Sequence, residues 1–154
     1  MALNLLKNFD DFLRVERGFS VHTRRAYLYT LRRLQADLER QGKTLLCARK
    51  SEFRSFLFHV GRGRKTATIA RHIAAIRTFY QWLVRTERLD YSEALELSPP
   101  KMGRYLPRVL SEQETIRLFE GHGEDHKTSR TLAILELLYS AGLRVSEVSQ
   151  LDWG

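Results

Sequence analysis

All three prolines of this chain, Pro99, Pro100 and Pro107, fall in one short stretch, and no proline precedes it. Proline has no backbone N–H and a fixed φ, so it ends or kinks a helix and pushes its predecessor into extended geometry. The run from Leu97 to Pro107 therefore reads as a linker, dividing the chain into residues 1–97, a linker at 98–109, and residues 110–154. The proline-free front can hold helices of several turns, and its apolar residues recur three and four apart.

Four helices follow from that spacing. Leu5, Leu6, Phe9, Phe12 and Leu13 mark the first, from about Asn4 to Arg17, closed by Gly18. Ser20 or Thr23 caps the second, which buries Tyr27, Leu31, Leu34 and Leu38 and runs to about Gln41 before Gly42. Ser51-Glu52 opens a short third helix through Phe53, Phe56, Leu57 and Val60. The fourth, from near Thr66 to about Arg85, buries Ile69, Ile73, Ile76, Phe79 or Tyr80, and Leu83. The predicted fold class is all-α: a four-helix bundle, a linker, then further helices. A hydrophobic content of 43% is enough for a true core.

The chain carries a net charge of +8, unevenly spread. Residues 1–98 hold 19 Lys or Arg against 10 Asp or Glu, a balance of +9, while residues 99–154 hold 7 against 8, a balance of −1. A basic front and a neutral back suggest two jobs, with a polyanion or an acidic membrane surface as partner for the first. On the second helix Arg24, Arg25, Arg32, Arg33 and Arg40 lie off the apolar stripe, with Asp37 and Glu39 the only acids on that helix. The loop Gly61-Arg62-Gly63-Arg64-Lys65 puts positive charge just ahead of a helix N-terminus, an arrangement that suits phosphate. Thr66, Thr68, Arg71 and His72 follow near the start of the fourth helix, a set that can enter a major groove. Lys101, Arg104 and Arg108 make the linker a basic strap. The bland alternative for each of these is a solvated face or surface turn.

Other chemistries are narrowed by what is missing. One cysteine, Cys47, excludes an internal disulfide framework and a multi-thiolate zinc site, and a small buried hydrophobe is its expected role. His122 and His126 are four apart, but no helix is expected beneath them and no metal site is predicted. No apolar run is long enough to span a bilayer and no secretory signal is visible, so a soluble, cytoplasmic chain is expected.

In the last segment Ser111 and Glu114 form a capping box for a short helix. The apolar run Leu132, Ile134, Leu135, Leu137, Leu138 then ends at Ala141-Gly142, and Arg144 to Val148 begins a new helix. Arg144 is placed in the first turn of that helix, where the macrodipole opposes a cation. It is either a solvated arginine or one held to grip a phosphate.

Taken in order, these residues resemble the tyrosine recombinase (phage integrase) family, most nearly its bacterial Xer type. The resemblance is carried by Pro100-Lys101, by Leu106 to Glu114 reading Leu-Pro-x-x-Leu-Ser-x-x-Glu, and by Leu135 to Glu147 with its Gly-Leu-Arg-x-Ser-Glu corner. Glu16 to Ser20 followed by Thr23 and Tyr27, and Ile73 to Leu83, resemble the openings of the family's second helix and its fourth helix. The resemblance implies a SAM-like core-binding bundle that closes half of a clamp on double-stranded DNA, with its second and fourth helices towards the major groove. It implies DNA cleavage by a tyrosine through a 3′-phosphotyrosyl link, no metal or nucleotide cofactor, and protomers acting as homo- or hetero-tetramers. Arg144 then corresponds to the first catalytic arginine, whose planar guanidinium holds two phosphate oxygens in the transition state, and Glu147 to a supporting acid. The family's lysine, His-x-x-Arg motif and nucleophilic tyrosine have no counterpart in these residues, so the chain as given is expected to bind DNA without cutting it. A phage or integron integrase portion, a naturally truncated DNA-binding protein and a helical protein-interaction module remain the alternatives.

Overall fold

A computed structural model describes residues 2–101, 103, 109–120 and 126–152. The chain divides into two units, Met1–Arg104 and Tyr105–Gly154. Among the described residues every regular element is helical.

The first unit is built from α1 (Ala2–Val15), α2 (Val21–Glu39), α3 (Lys50–Gly61) and α4 (Thr66–Arg85), with 3₁₀ turns at Leu45–Cys47 and Glu93–Glu96. α4 is the central element: it packs on α2, on α3 and on the 93–96 turn, while α1 packs on α2. Its buried residues run His72, Ile73, Ala75, Ile76, Phe79, Tyr80, Trp82 and Leu83, a stripe wide enough to meet several neighbours at once. Phe79 and Tyr80 are both buried, where the periodicity left a choice between them. Phe9 of α1 meets the edge of Phe79 at 5.1 Å and Trp82 at 5.4 Å. On the other side Phe53 of α3 meets Tyr80 edge-on at 5.0 Å. Aromatic pairs of this kind contribute about 0.5–1.5 kcal/mol each beyond the area they bury. The Tyr80 hydroxyl donates to the carbonyl of Leu45 at 2.6 Å, pinning the first 3₁₀ turn to the core, and burial raises its pKa.

Backbone chemistry sets the helix ends. The Ser20 hydroxyl accepts from Thr23 N–H and caps α2. Gly42, at φ +69, ends α2 with Lys43 N–H donating to Leu38 C=O at 2.9 Å. α4 ends in the same left-handed way at Glu87, φ 54, with no glycine to announce it. The turn reversing the chain there brings Ala94 and Leu97 into the core, a contribution invisible to helical periodicity. Cys47 is exposed, correcting the expectation of a buried thiol: it lies in the 3₁₀ turn whose inward residue is Leu45.

The second unit holds α5 (Glu112–Glu120), α6 (His126–Ser140) and α7 (Val145–Val148). Ser111 and Glu114 form the expected reciprocal cap: Ser111 N–H donates to the carboxylate at 2.8 Å, and Glu114 N–H donates back to the Ser111 hydroxyl at 3.2 Å. Gly142 follows α6 at φ +63. No residue is buried among those described in this unit, and Phe119 and Tyr139 meet at 5.8 Å. Ala133, Ile134, Leu137, Leu138, Val145 and Val148 line an open apolar groove between α6 and α7.

Candidate nucleic-acid interface

The loop between α3 and α4 turns at Gly63, φ +69, with Arg64 N–H bonded to Gly61 C=O at 2.9 Å. Lys65 stands at the N-cap of α4 and supplies no side-chain cap, so the first-turn amides of α4 have no side-chain acceptor at the cap. Arg64, Lys65 and Thr66 are exposed beside them, and Thr68 is partly exposed.

His72 departs from its predicted place. It is only 7% exposed and lies within the bundle, so it does not present itself to a groove. Its Nδ1 is 2.9 Å from the Thr30 hydroxyl of α2, and that hydroxyl also donates to Ala26 C=O at 3.0 Å. The hydroxyl has one proton and it goes to the carbonyl. Nδ1–H therefore donates to Thr30, and Nε2 carries the free lone pair. This bond ties α2 to α4 where they cross. Burial, then the charges of Arg33, Arg71 and Arg64, hold the imidazole below its ordinary pKa.

Those three arginines come from three separate elements: Arg33 from α2, Arg71 from α4 and Arg64 from the loop between α3 and α4. None of the three forms an ion pair among the described residues. Arg33 leans on Tyr29, its guanidinium 5.7 Å from the ring centroid. Beside it Arg33, Asp37, Arg40, Phe56, His59 and Val60 line a groove between α2 and α3. Sequence reasoning placed Arg33 among the off-stripe arginines without singling it out as a contact. The available signal was rotation: adjacent residues point about 100° apart on a helix, so Arg32 and Arg33 cannot serve one site equally.

The remaining α2 arginines separate accordingly. Arg32 lines a groove over α1 with Lys7, Asp10, Leu28 and Gln35. Arg24, expected to be an unneutralised cation on the DNA side, is a structural tie. Its Nε and Nη2 both donate to the Asp10 carboxylate at 2.7 Å, a bidentate pair that joins α2 to α1. That bond is the main reason Asp10 has a lowered pKa. Arg25 points outward and is exposed, as is Lys101. Arg104 lies outside the described residues.

In the second unit Arg144 occupies the N-cap of α7, one position earlier than expected, with φ −76 and ψ 152. Its backbone N–H donates to Glu147 at 2.8 Å and its guanidinium to the same carboxylate at 2.9 Å. Glu147 so offsets the charge that the macrodipole would oppose. The arginine side chain is 82% exposed, with its orientation set by this neighbour. His122 lies outside the described residues, as does the side chain of His126. Among the described residues no group of three metal-ligating side chains occurs, and no helix is long and apolar enough to cross a membrane.

The first unit is thus a helical bundle whose exposed Arg25, Arg33, Arg64 and Arg71 form no ion pair among the described residues. Residues 6–87 match the family described as "Phage integrase, N-terminal SAM-like domain". The chain belongs to that family. It is 37% identical over 150 residues to the tyrosine recombinase XerD of Oceanobacillus iheyensis, covering 96% of this chain and 50% of that protein. It is 40% identical over 154 residues to the tyrosine recombinase XerC of Mycobacterium tuberculosis, covering 96% and 52%. The XerC of Azotobacter vinelandii is 39% identical over 150 residues, covering 96% and 50%. The chain thus spans about half the length of the curated relatives it matches.

Proposed function

We propose that residues 1–154 are the duplex-DNA-binding portion of a site-specific tyrosine recombinase of the Xer type. The observation that carries this reading is that Arg25, Arg33, Arg64, Lys65 and Arg71 are exposed on the first unit and form no ion pair among the described residues. A polyanion of regularly spaced phosphates is the partner that satisfies such a surface, because each neutralised phosphate releases condensed counterions. Arg25, Lys65, Thr66, Thr68 and Lys101 extend it along the DNA backbone, and Arg32 contributes from the α1 groove. Arg144 is assigned the grip on the scissile phosphate, and Glu147 holds its guanidinium ready. The activity of the whole recombinase is then strand cleavage and rejoining by protomers assembled on two duplexes, in the cytoplasm, with chromosome-dimer resolution at cell division as the biological setting.

The test is a salt titration of binding to a short duplex. With roughly six phosphate contacts, affinity falls about a thousandfold between about 50 and 200 mM salt. Salt-insensitive binding, or none, overturns the reading in favour of a protein-interaction module.

A further inference from the structure

Between α2 and α3 lies a groove of about 290 Å³, lined by Arg33, Asp37, Arg40, Phe56, His59 and Val60. Phe56 and Val60 are four residues apart on α3 and give the groove an apolar floor, the outer edge of side chains that otherwise belong to the core. The walls are polar and carry a positive excess. Arg40 donates to Asp37 at 2.9 Å, which engages the one carboxylate of the lining. Arg33 has no such partner: it forms no ion pair among the described residues, and its guanidinium lies 5.7 Å from the centre of the Tyr29 ring. The His59 imidazole forms no hydrogen bond or ion pair among the described residues, and its ring meets that of Phe58 at 5.9 Å. Both neighbouring rings stand largely in water, Tyr29 at 57% exposed and Phe58 at 71%.

We propose that this groove docks an acidic peptide segment of a partner protein, with an apolar side chain on Phe56 and Val60 and a carboxylate held by Arg33 and His59. The floor and the walls together select that occupant. A nucleic-acid backbone brings phosphates and sugars but no apolar side chain to cover Phe56 and Val60, so it forgoes the gain of drying that surface. An apolar side chain does cover it, and the unpaired Arg33 favours a negative charge beside it. A guanidinium resting on a ring keeps its N–H edge for a planar carboxylate, which it grips through two bonds. His59 adds one N–H donor in either tautomer. Exposed tyrosine and phenylalanine next to arginine is also the composition that protein interfaces favour, because rigid rings cover much area with little loss of conformational freedom. α4 supplies none of the lining residues, so the groove stands apart from Arg71 and from the first turn of that helix. Arg33 is the one residue it shares with the proposed DNA surface. The inference goes beyond DNA binding and does not depend on it.

The probes are arrayed synthetic peptides, each centred on leucine or phenylalanine and flanked by glutamate, glutamine or lysine in otherwise identical sequences. Their binding to residues 1–154 is measured by fluorescence anisotropy, without DNA. The glutamate peptides should bind about tenfold more tightly than their glutamine counterparts, and the lysine peptides should not bind. Arg33→Glu, a surface change, should weaken the best glutamate peptide by about tenfold, whereas Arg14→Glu, the same reversal on α1, should leave it within about twofold. In NMR spectra of the labelled chain, that peptide should shift the Val60 methyl and His59 ring resonances. Circular dichroism checks that each variant keeps its helix content. Equal binding of glutamate and glutamine peptides, equal effects of the two reversals, shifts confined to residues outside the groove, or no peptide binding at all overturns the proposal. A short duplex that shifts Val60 and His59 as strongly as the best peptide assigns the groove to nucleic acid and overturns it too. Failure of duplex binding in the salt titration leaves the proposal standing and removes only the DNA reading.

Discussion

The basic cluster can be tested by asking whether position, rather than charge total, governs DNA affinity. Replace Arg33, Arg64 and Arg71 together by glutamine, and compare with a second triple variant at Arg14, Arg40 and Arg85. Both lose three positive charges. The control arginines are exposed like the first set, but each already faces a carboxylate: Asp11 at 3.1 Å, Asp37 at 2.9 Å and Glu16 at 2.7 Å. If each cluster arginine neutralises one phosphate, its loss lowers the slope of log affinity against log salt by about 0.9. Three losses lower it by about 2.7. Carried to about 0.1 M salt, this is a weakening of about five-hundredfold. The control triple should change the slope by less than about one contact's worth, since its members are occupied within the bundle. Fluorescence anisotropy with a labelled duplex at several salt concentrations gives both slopes, and circular dichroism checks that helix content is kept. Equal slope changes in the two triples would show that only net charge matters. An unchanged slope in the first would show that the cluster does not meet phosphate.

Three further outcomes follow. Glu52 is buried at the start of α3 and accepts from Lys43 Nζ at 2.7 Å, Arg49 N–H at 2.9 Å and the Ser51 hydroxyl at 2.9 Å, which hold its pKa at about 2, below the ordinary 4.5. The depressed value means that Glu52 stabilises the fold above the ordinary carboxylate range and loses that effect as pH falls from 4.5 to about 2. Discounted for the half-exposed Lys43, Glu52→Gln should cost about 1–2 kcal/mol at neutral pH, and the gap from wild type should close across that acid window in thermal melts. Arg24→Ala leaves Asp10 without its bidentate partner and should lower the urea midpoint of unfolding while leaving the salt slope of duplex binding unchanged; a fall of a full contact in slope would return Arg24 to the DNA surface. Arg144→Ala should leave duplex affinity of residues 1–154 within about twofold, because its proposed role is in the transition state rather than in binding; a large loss by the same anisotropy assay would make the corner a binding element in its own right.

Much of this protein is determined by its sequence alone, because local backbone chemistry and periodicity need no partner. The proline cluster divides it, apolar spacing of three and four residues dictates four helices in the first unit, and Ser20, Gly42, Ser111 with Glu114, and Gly142 mark helix ends through bonds made within a turn or two. The corner at Arg144 was legible for the same reason, needing only the one-residue correction that its pairing with Glu147 explains. The tertiary structure decided what depends on residues far apart in the chain. Arg24 looks like a free cation on its own helix and is neutralised by Asp10 on another. His72 looks like a surface reader and is drawn inside by Thr30, because a helix wheel shows direction but not what waits across the interface. Arg33, unremarkable beside Arg32 in a line of text, leans on Tyr29 and lines a groove with Phe56 and Val60 of α3, which only the packing of α2 on α3 creates. Which arginines are left without a carboxylate, and therefore free for phosphate, is a property of the packed bundle.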